Sequence, residues 1–302
     1  MELLDLVGNT PLLVLPAVSK SVAARDIMLF AKAEFFNPSG SVKDRAAKAM
    51  ILGGLREGLL AKGKTIIDAT SGNTGIAYAM IGAALSFPVK IYLPANASAE
   101  RKGMIRHYGA EIVETSPLEG SDGAYWAVKE EIAAHPEKYF YPDQYHNDAN
   151  WKAHYTTTAP EIWTQSEQRI THFICGMGTS GTFVGVSRRL KEYKTNIRTI
   201  AIQPDSPFHG IEGTKHMAST LKPGFYDETL PDEVIEISTE GAYAMSRRLA
   251  REEGIHVGIS SGANVLGALK LAETLPSGSV VITILCDTGA RYVTDQFWSG
   301  HD

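Results

Sequence analysis

The stretch Thr65-Ile66-Ile67-Asp68-Ala69-Thr70-Ser71-Gly72-Asn73-Thr74-Gly75 decides the fold. Its largely β-branched start reads as a short buried strand, and residues 74–86 that follow read as a helix of small residues. Between them lies a polar turn. Working outward, the same rhythm recurs. Residues 89–93 read as a strand, 98–108 as a helix with Ser98 as N-cap, 111–114 as a strand and 123–134 as a helix. Further on, strands are expected at 170–175, 197–202, 234–237 and 279–285, and helices at 182–193, 240–253 and 261–275. Strands alternating with crossover helices predict mostly parallel sheets covered on both faces. The rhythm breaks at 141–150, a polar and aromatic stretch, which predicts a boundary between two α/β halves with a cleft between them. No internal repeat, low-complexity tract or Gly/Ser/Pro-rich linker interrupts the pattern.

Composition narrows the function. The chain has 302 residues, 44% hydrophobic and 21% charged, which is ordinary globular usage with room for two domains. Twenty-nine basic against thirty-four acidic residues give a net charge of −5, so there is no excess of cations to neutralise nucleic-acid phosphates. Cys175 and Cys286 sit in no metal spacing and make no disulfide framework, which fits a reducing compartment. The N-terminal residues carry acids where a secretory signal carries bases, and no apolar run approaches the roughly 18 residues of a membrane span. A cytoplasmic protein that uses neither nucleic acid nor membrane is expected.

In open α/β sheets ligands bind at the strand-to-helix turns, and four turns stand out. In Asn37-Pro38-Ser39-Gly40-Ser41-Val42-Lys43-Asp44-Arg45 a tight loop delivers Lys43 to a helix N-terminus. That end of a helix disfavours a cation, which suits an amine used as a nucleophile or in a Schiff base; the other reading is a solvated surface lysine. The turn at 70–74 offers hydroxyls, an amide and helix N–H groups, a seat for a carboxylate or phosphate. Gly176-Met177-Gly178-Thr179-Ser180-Gly181-Thr182 matches GxGxxG, with Asp205 at the end of the next strand, so a dinucleotide site is one reading. Its many hydroxyls suit a terminal phosphate, the other reading. In Gly258-Ile259-Ser260-Ser261-Gly262, Ser260 or Ser261 could face a ligand ring nitrogen or simply cap a helix.

Taken together, with Gly8-Asn9-Thr10-Pro11-Leu12 near the start and Gly289-Ala290-Arg291-Tyr292 near the end, these turns resemble the cysteine synthase (O-acetylserine sulfhydrylase) family over nearly the whole chain. The stretch His154-Tyr155-Thr156-Thr157-Thr158-Ala159-Pro160-Glu161-Ile162-Trp163 is most similar to the B type. The resemblance implies the tryptophan-synthase-β-like fold (fold type II) of pyridoxal-phosphate enzymes. That fold has two three-layer αβα domains with mostly parallel sheets and the cofactor in the interdomain cleft. Residues 36–145 would form the smaller domain, and 1–35 with 146–302 the larger one that binds the cofactor phosphate.

It also implies roles. Lys43 would hold pyridoxal 5'-phosphate as a Schiff base and act as general base, and Asn73 would bond the ring hydroxyl. Thr70, Ser71, Gly72, Thr74 and Gln144 would bind the substrate carboxylate. Gly178, Thr179, Ser180, Gly181 and Thr182 would cradle the phosphate, and Ser260 would face the pyridine nitrogen. A hydroxyl there does not keep that nitrogen protonated, which favours β-elimination over transamination. No metal is implied. The implied reaction is β-replacement making L-cysteine from O-acetyl-L-serine and sulfide through an α-aminoacrylate. Related donors and acceptors are O-phosphoserine, thiosulfate and homocysteine, the last as in cystathionine β-synthase. A homodimer is implied, and a serine acetyltransferase or a sulfur-carrier protein is a conceivable partner. Cys286-Asp287-Thr288-Gly289 follows the B type, and Asp287 receives no role. Residues 205–222 depart from A-type sequences, so substrate choice is not carried over there. Outside this class stand a dehydrogenase using the Gly176 turn and a binding protein without catalysis.

Overall fold

The computed structural model describes residues 1–70 and 72–299. Its strands, in chain order, are β1 (Leu12–Val14), β2 (Met28–Ala33), β3 (Thr65–Ala69), β4 (Val89–Pro94), β5 (Glu111–Thr115), β6 (Tyr139–Phe140), β7 (His172–Gly176), β8 (Arg198–Pro204), β9 (Glu233–Ile237) and β10 (Val280–Leu285). The chain divides into two units. One is Met1–Val7 with Asn37–Asn150, the other Gly8–Phe36 with the chain from Trp151 onward.

In the first unit a parallel sheet runs β5-β4-β3-β6. Parallel neighbours need crossovers, and the helices Asn73–Leu85, Ala99–His107 and Gly120–Ala134 supply them. Ser98 caps the second of these, its Oγ accepting from the Arg101 N–H at 3.4 Å. The helix Asn73–Leu85 is apolar or small at almost every position and is buried from Thr74 to Gly82. A helix apolar all round belongs in a core. Ile66 and Ile91 of the strands meet Ile76 and Ile81 of that helix, with Met50 and Ile51 of the helix Lys43–Arg56 completing the cluster.

The second unit holds a six-stranded sheet, β1-β2-β10-β7-β8-β9, parallel except for β1 against β2. The central strand β10 is buried along its whole length. Its alternate side chains serve two cores, as the two-residue period of a strand requires. Val281 and Leu285 pack with the helices Thr239–Glu253 and Ile259–Ala272, and Val280, Ile282 and Ile284 with Ala159–Gln165 and Gly181–Tyr193. Truncating such a side chain to alanine costs about 2–5 kcal/mol.

β1 and β2 lie outside the rhythm read from the sequence. In β2 a lysine interrupts the apolar run, yet Lys32 is fully buried. Its Nζ pairs with Glu161 at 2.7 Å and donates to Gln165 Oε1 at 2.8 Å. The same residues fasten the Gly8-Asn9-Thr10 segment: the Asn9 N–H donates to Glu161 Oε1, and Gln165 Nε2 donates to the Thr10 carbonyl, both at 2.9 Å. Removing one partner of such a buried pair costs about 3–5 kcal/mol.

Candidate active site

Lys43 is the first residue of the helix Lys43–Arg56, as its turn predicts. The loop before it is stapled by its neighbour. The buried Asp44 carboxylate accepts from the Ser39 N–H at 2.6 Å and from the Ser39 hydroxyl. An acid in a first helical turn is favoured by the dipole, so Asp44 stabilises the helix start and the loop together. Gly40, at φ 85°, supplies the left-handed residue the turn needs, and its N–H donates to the Asn37 carbonyl at 2.7 Å.

The turn after β3 is built around Gln144. The Gln144 side chain is 3% exposed; its Nε2 donates to the Ala69 carbonyl at 2.7 Å, and its Oε1 accepts from the Thr74 hydroxyl at 2.8 Å. Gln144 thus joins the end of β3 to the start of the next helix, and the Asn150 amide holds its own carbonyl at 2.7 Å. Thr70 Oγ1 accepts from the Gly72 N–H at 3.1 Å. Gly72 sits at φ 147°, where a side chain would be strained. Asn73 opens the helix Asn73–Leu85. Ser71, expected among the carboxylate donors, lies outside the described residues. Beneath the turn, Asp68 is buried and its Oδ2 has no hydrogen-bond partner among the described residues. Burial pushes its carboxyl up to about 7, against the hydrogen bond from the Ala69 N–H at 2.7 Å.

In the second unit the glycine turn leaves β7 and opens the helix Gly181–Tyr193. Gly178 has no room for a side chain, since a Cβ there would fall 2.3 Å from the Gly213 carbonyl oxygen. The Lys215 N–H donates to the Met177 carbonyl at 2.8 Å, so part of the 205–222 segment forms a wall of this turn. Asn264 Oδ1 accepts from the Gly176 N–H at 2.7 Å, and its Nδ2 donates to the Ile284 carbonyl at 2.8 Å. Ser180 is the left-handed N-cap residue at φ 67°, yet its hydroxyl caps nothing. That hydroxyl is buried with no partner among the described residues. A buried, unpaired hydroxyl at the N-terminus of a long helix is what a phosphate oxygen would satisfy. The cup therefore fits a phosphate group.

Ser260 and Ser261 part company. The helix starts at Ile259 with extended Gly258 as its cap, so neither serine is the N-cap. Ser261 Oγ accepts from the Cys286 N–H at 2.8 Å and is committed to the fold. Ser260 is 6% exposed and stands outside that bond. It shares its helix with Asn264, which ties the helix to the glycine turn. Asp287 is buried and accepts from the Tyr292 hydroxyl at 2.6 Å. One neighbour escaped the sequence reading: His154, in a π-helical turn, lies 3.3 Å from Thr182 Oγ1 through Nε2 and 2.9 Å from Thr158 Oγ1 through Nδ1. Only the order His154-…-Thr158, four residues apart, signalled it.

A family model described as pyridoxal-phosphate dependent enzyme matches residues 3–287. That match defines the class, and it sets aside the dinucleotide reading of the glycine turn. Cysteine synthase of Aquifex aeolicus is 50% identical over 303 residues, covering 99% of this chain and 93% of that protein. Cysteine synthase B of Salmonella typhimurium is 41% identical over 288 residues, covering 95% of this chain and 93% of the relative. The crystal structure of cysteine synthase from Entamoeba histolytica superposes with a TM-score of 0.94 at 35% identity, covering 100% of this chain and 91% of that one. The chain belongs to the cysteine synthase family of pyridoxal-phosphate enzymes, with the tryptophan-synthase-β-like fold the motifs implied.

Proposed function

We propose that this chain makes L-cysteine from O-acetyl-L-serine and sulfide with pyridoxal 5'-phosphate bound through Lys43. The observation that carries this reading is the Gln144-braced turn, whose bonds fix Thr74 and the N-terminus of the helix Asn73–Leu85, an end of the kind that receives a carboxylate. The names of the relatives supply the particular reaction.

When bound, the cofactor supplies the electron sink that lets the Cα proton and the β-substituent leave. The chain does the rest. Thr70, Ser71, Gly72, Thr74 and Gln144 hold the substrate carboxylate and so fix the direction of the Cα–H bond. The amine of Lys43 takes the Cα proton as general base and returns it after sulfide has added to Cβ; acetate is the leaving group. Asn73 bonds the ring hydroxyl, and Ser260 meets the ring nitrogen as a neutral partner. Gly178, Thr179, Ser180, Gly181 and Thr182 hold the phosphate, which gives the Ser180 hydroxyl the partner it lacks among the described residues.

We assign the enzyme to the cytoplasm as a homodimer. The support for a reducing compartment is that neither Cys175 nor Cys286 stands in a disulfide among the described residues. The support for self-association is apolar surface, with Val14 on the edge strand β1 60% exposed and Phe36 59% exposed.

The test is a matrix of donors and acceptors. O-acetylserine and O-phosphoserine are each paired with sulfide, thiosulfate and homocysteine, and kcat/KM is measured for every pair. The highest value is expected for O-acetylserine with sulfide, giving cysteine. A higher value for any other pair would replace this assignment with that pair's reaction.

A further inference from the structure

The polar, aromatic stretch 141–150 closes the first unit and carries Gln144, whose buried side chain braces the turn after β3. A long amide side chain has many rotamers, so its aim depends on how firmly the backbone before it is held. The residue before it, Asp143, is left-handed at φ 49°. Among residues that carry a side chain, Asp and Asn tolerate that conformation best. An extended or right-handed Asp143 would swing the following peptide, and Gln144 with it, away from Ala69 and Thr74. Asp143 is clamped in place from two sides. Its Oδ1 lies 2.9 Å from His146 Nδ1, and its Oδ2 lies 3.4 Å from Lys129 Nζ. Lys129 belongs to the helix Gly120–Ala134, and its ammonium is itself seated 4.3 Å from the centroid of the Tyr141 ring and 5.3 Å from that of Tyr125. The Asp143 carbonyl accepts from the His146 N–H at 3.0 Å and the Asn147 N–H at 2.9 Å. A helix and a tight turn therefore converge on the one residue that precedes Gln144.

We propose that Asp143 is a positioning residue for the α-carboxylate of the amino-acid substrate, acting through Gln144: its clamped, left-handed backbone aims the side chain that braces the turn at 70–74. This rests on the reading of 70–74 as the carboxylate seat. Asp143 supplies two things, a side-chain oxygen for His146 and a residue type at ease in the left-handed region. Asparagine supplies both. Its loss of charge toward Lys129 matters little, because that contact is long and partly exposed and such pairs contribute little. Alanine supplies neither.

A double-mutant cycle tests this. The dissociation constant of L-serine is read from the visible spectrum of the cofactor-loaded protein, for wild type, Asp143→Ala, Gln144→Leu and the two substitutions together. Asp143→Ala should weaken L-serine by about tenfold, the factor that ~1.4 kcal/mol represents, whereas Asp143→Asn should stay within about twofold of wild type. On the Gln144→Leu background, Asp143→Ala should change the constant by less than about twofold, because the side chain it aims is gone. If alanine prevents folding, Asp143→Gly, which suits the left-handed backbone but lacks the clamp, takes its place in the cycle with the same pattern expected. Equal weakening on both backgrounds would mark Asp143 as merely structural and overturn the proposal. So would no weakening on the wild-type background, or an Asp143→Asn as weak as Asp143→Ala; each of these leaves the carboxylate seat standing. A Gln144→Leu protein that binds L-serine as tightly as wild type would remove the seat itself, and this inference with it.

Discussion

The turns after β3 and β7 look alike in sequence, each a strand followed by Gly, Ser and Thr and then a helix, but they are braced in different ways. The turn at 70–74 is held by side chains that come from far along the chain. Gln144 reaches it from seventy residues past Thr74, and Arg101 fills the space beside Gly72. The turn at 176–182 adds backbone to a distant side chain: beside Asn264, which holds the Gly176 N–H, Gly178 is pressed against the Gly213 carbonyl and the Lys215 N–H is bonded to the Met177 carbonyl. The difference matches the proposed tasks. A resident phosphate is served by a stiff backbone cup that never needs rebuilding. A substrate that enters and leaves at every turnover is selected by polar side chains, which can discriminate because an unmatched donor is costly.

Substitutions at the two turns should therefore fail in different ways. The largest effect is expected from Gly178→Val. Its added atoms meet backbone rather than a side chain that could swing away, and overpacking of this kind costs about 1–3 kcal/mol. Affinity for pyridoxal 5'-phosphate, measured by reconstituting the apoprotein, should fall by up to about a hundredfold. Near-normal affinity would show that the cup is not rigid. Next comes Gln144→Leu, which strands the Ala69 carbonyl and the Thr74 hydroxyl at about 1–3 kcal/mol for each buried group left unpaired. KM for O-acetylserine should rise by about tenfold or more while cofactor affinity stays within about twofold. A variant that loses cofactor as readily as Gly178→Val would erase the contrast between the two turns.

The smallest effect concerns the strand ends. β3 ends near a buried acid, Asp68, whereas β7 has Cys175 one residue before its end. Burial raises Asp68 from 3.8 to about 7, so between those pH values the folded chain keeps a proton that the unfolded chain has lost. The stability this group contributes is full below about 3.8 and is lost as pH rises through about 7. Its slope across that window is about 1.4 kcal/mol per pH unit. Asp68→Asn should remove that slope, which urea unfolding at pH 5 and pH 6 would detect. An unchanged difference between the two pH values would place the proton elsewhere.

Much of this architecture was legible because each turn advertises itself locally. The helix Asn73–Leu85 and the strand β10 are runs of small or apolar residues between polar turns, and Ser98 caps the helix expected of it. What escaped depends on contacts between distant residues. β2 was hidden because Lys32 reads as exposed until Glu161 is brought beside it. The helix Ile259–Ala272 begins two residues early because Gly258 is extended and takes the cap position from the serines. Gln144 was expected at the site, but its grip on Ala69 and Thr74 was not visible, and neither was the passage of Arg101 over Gly72. Residue types announce a ligand's chemistry; the braces that aim them come from the tertiary fold.

The proposed chemistry depends on the amine at the start of the helix Lys43–Arg56. Borohydride reduction of the cofactor-loaded protein, followed by digestion and mass spectrometry, reads it directly. The pyridoxyl group is predicted on the peptide carrying Lys43, in near-stoichiometric yield. An unmodified Lys43 peptide, or the label on another lysine, would contradict the account.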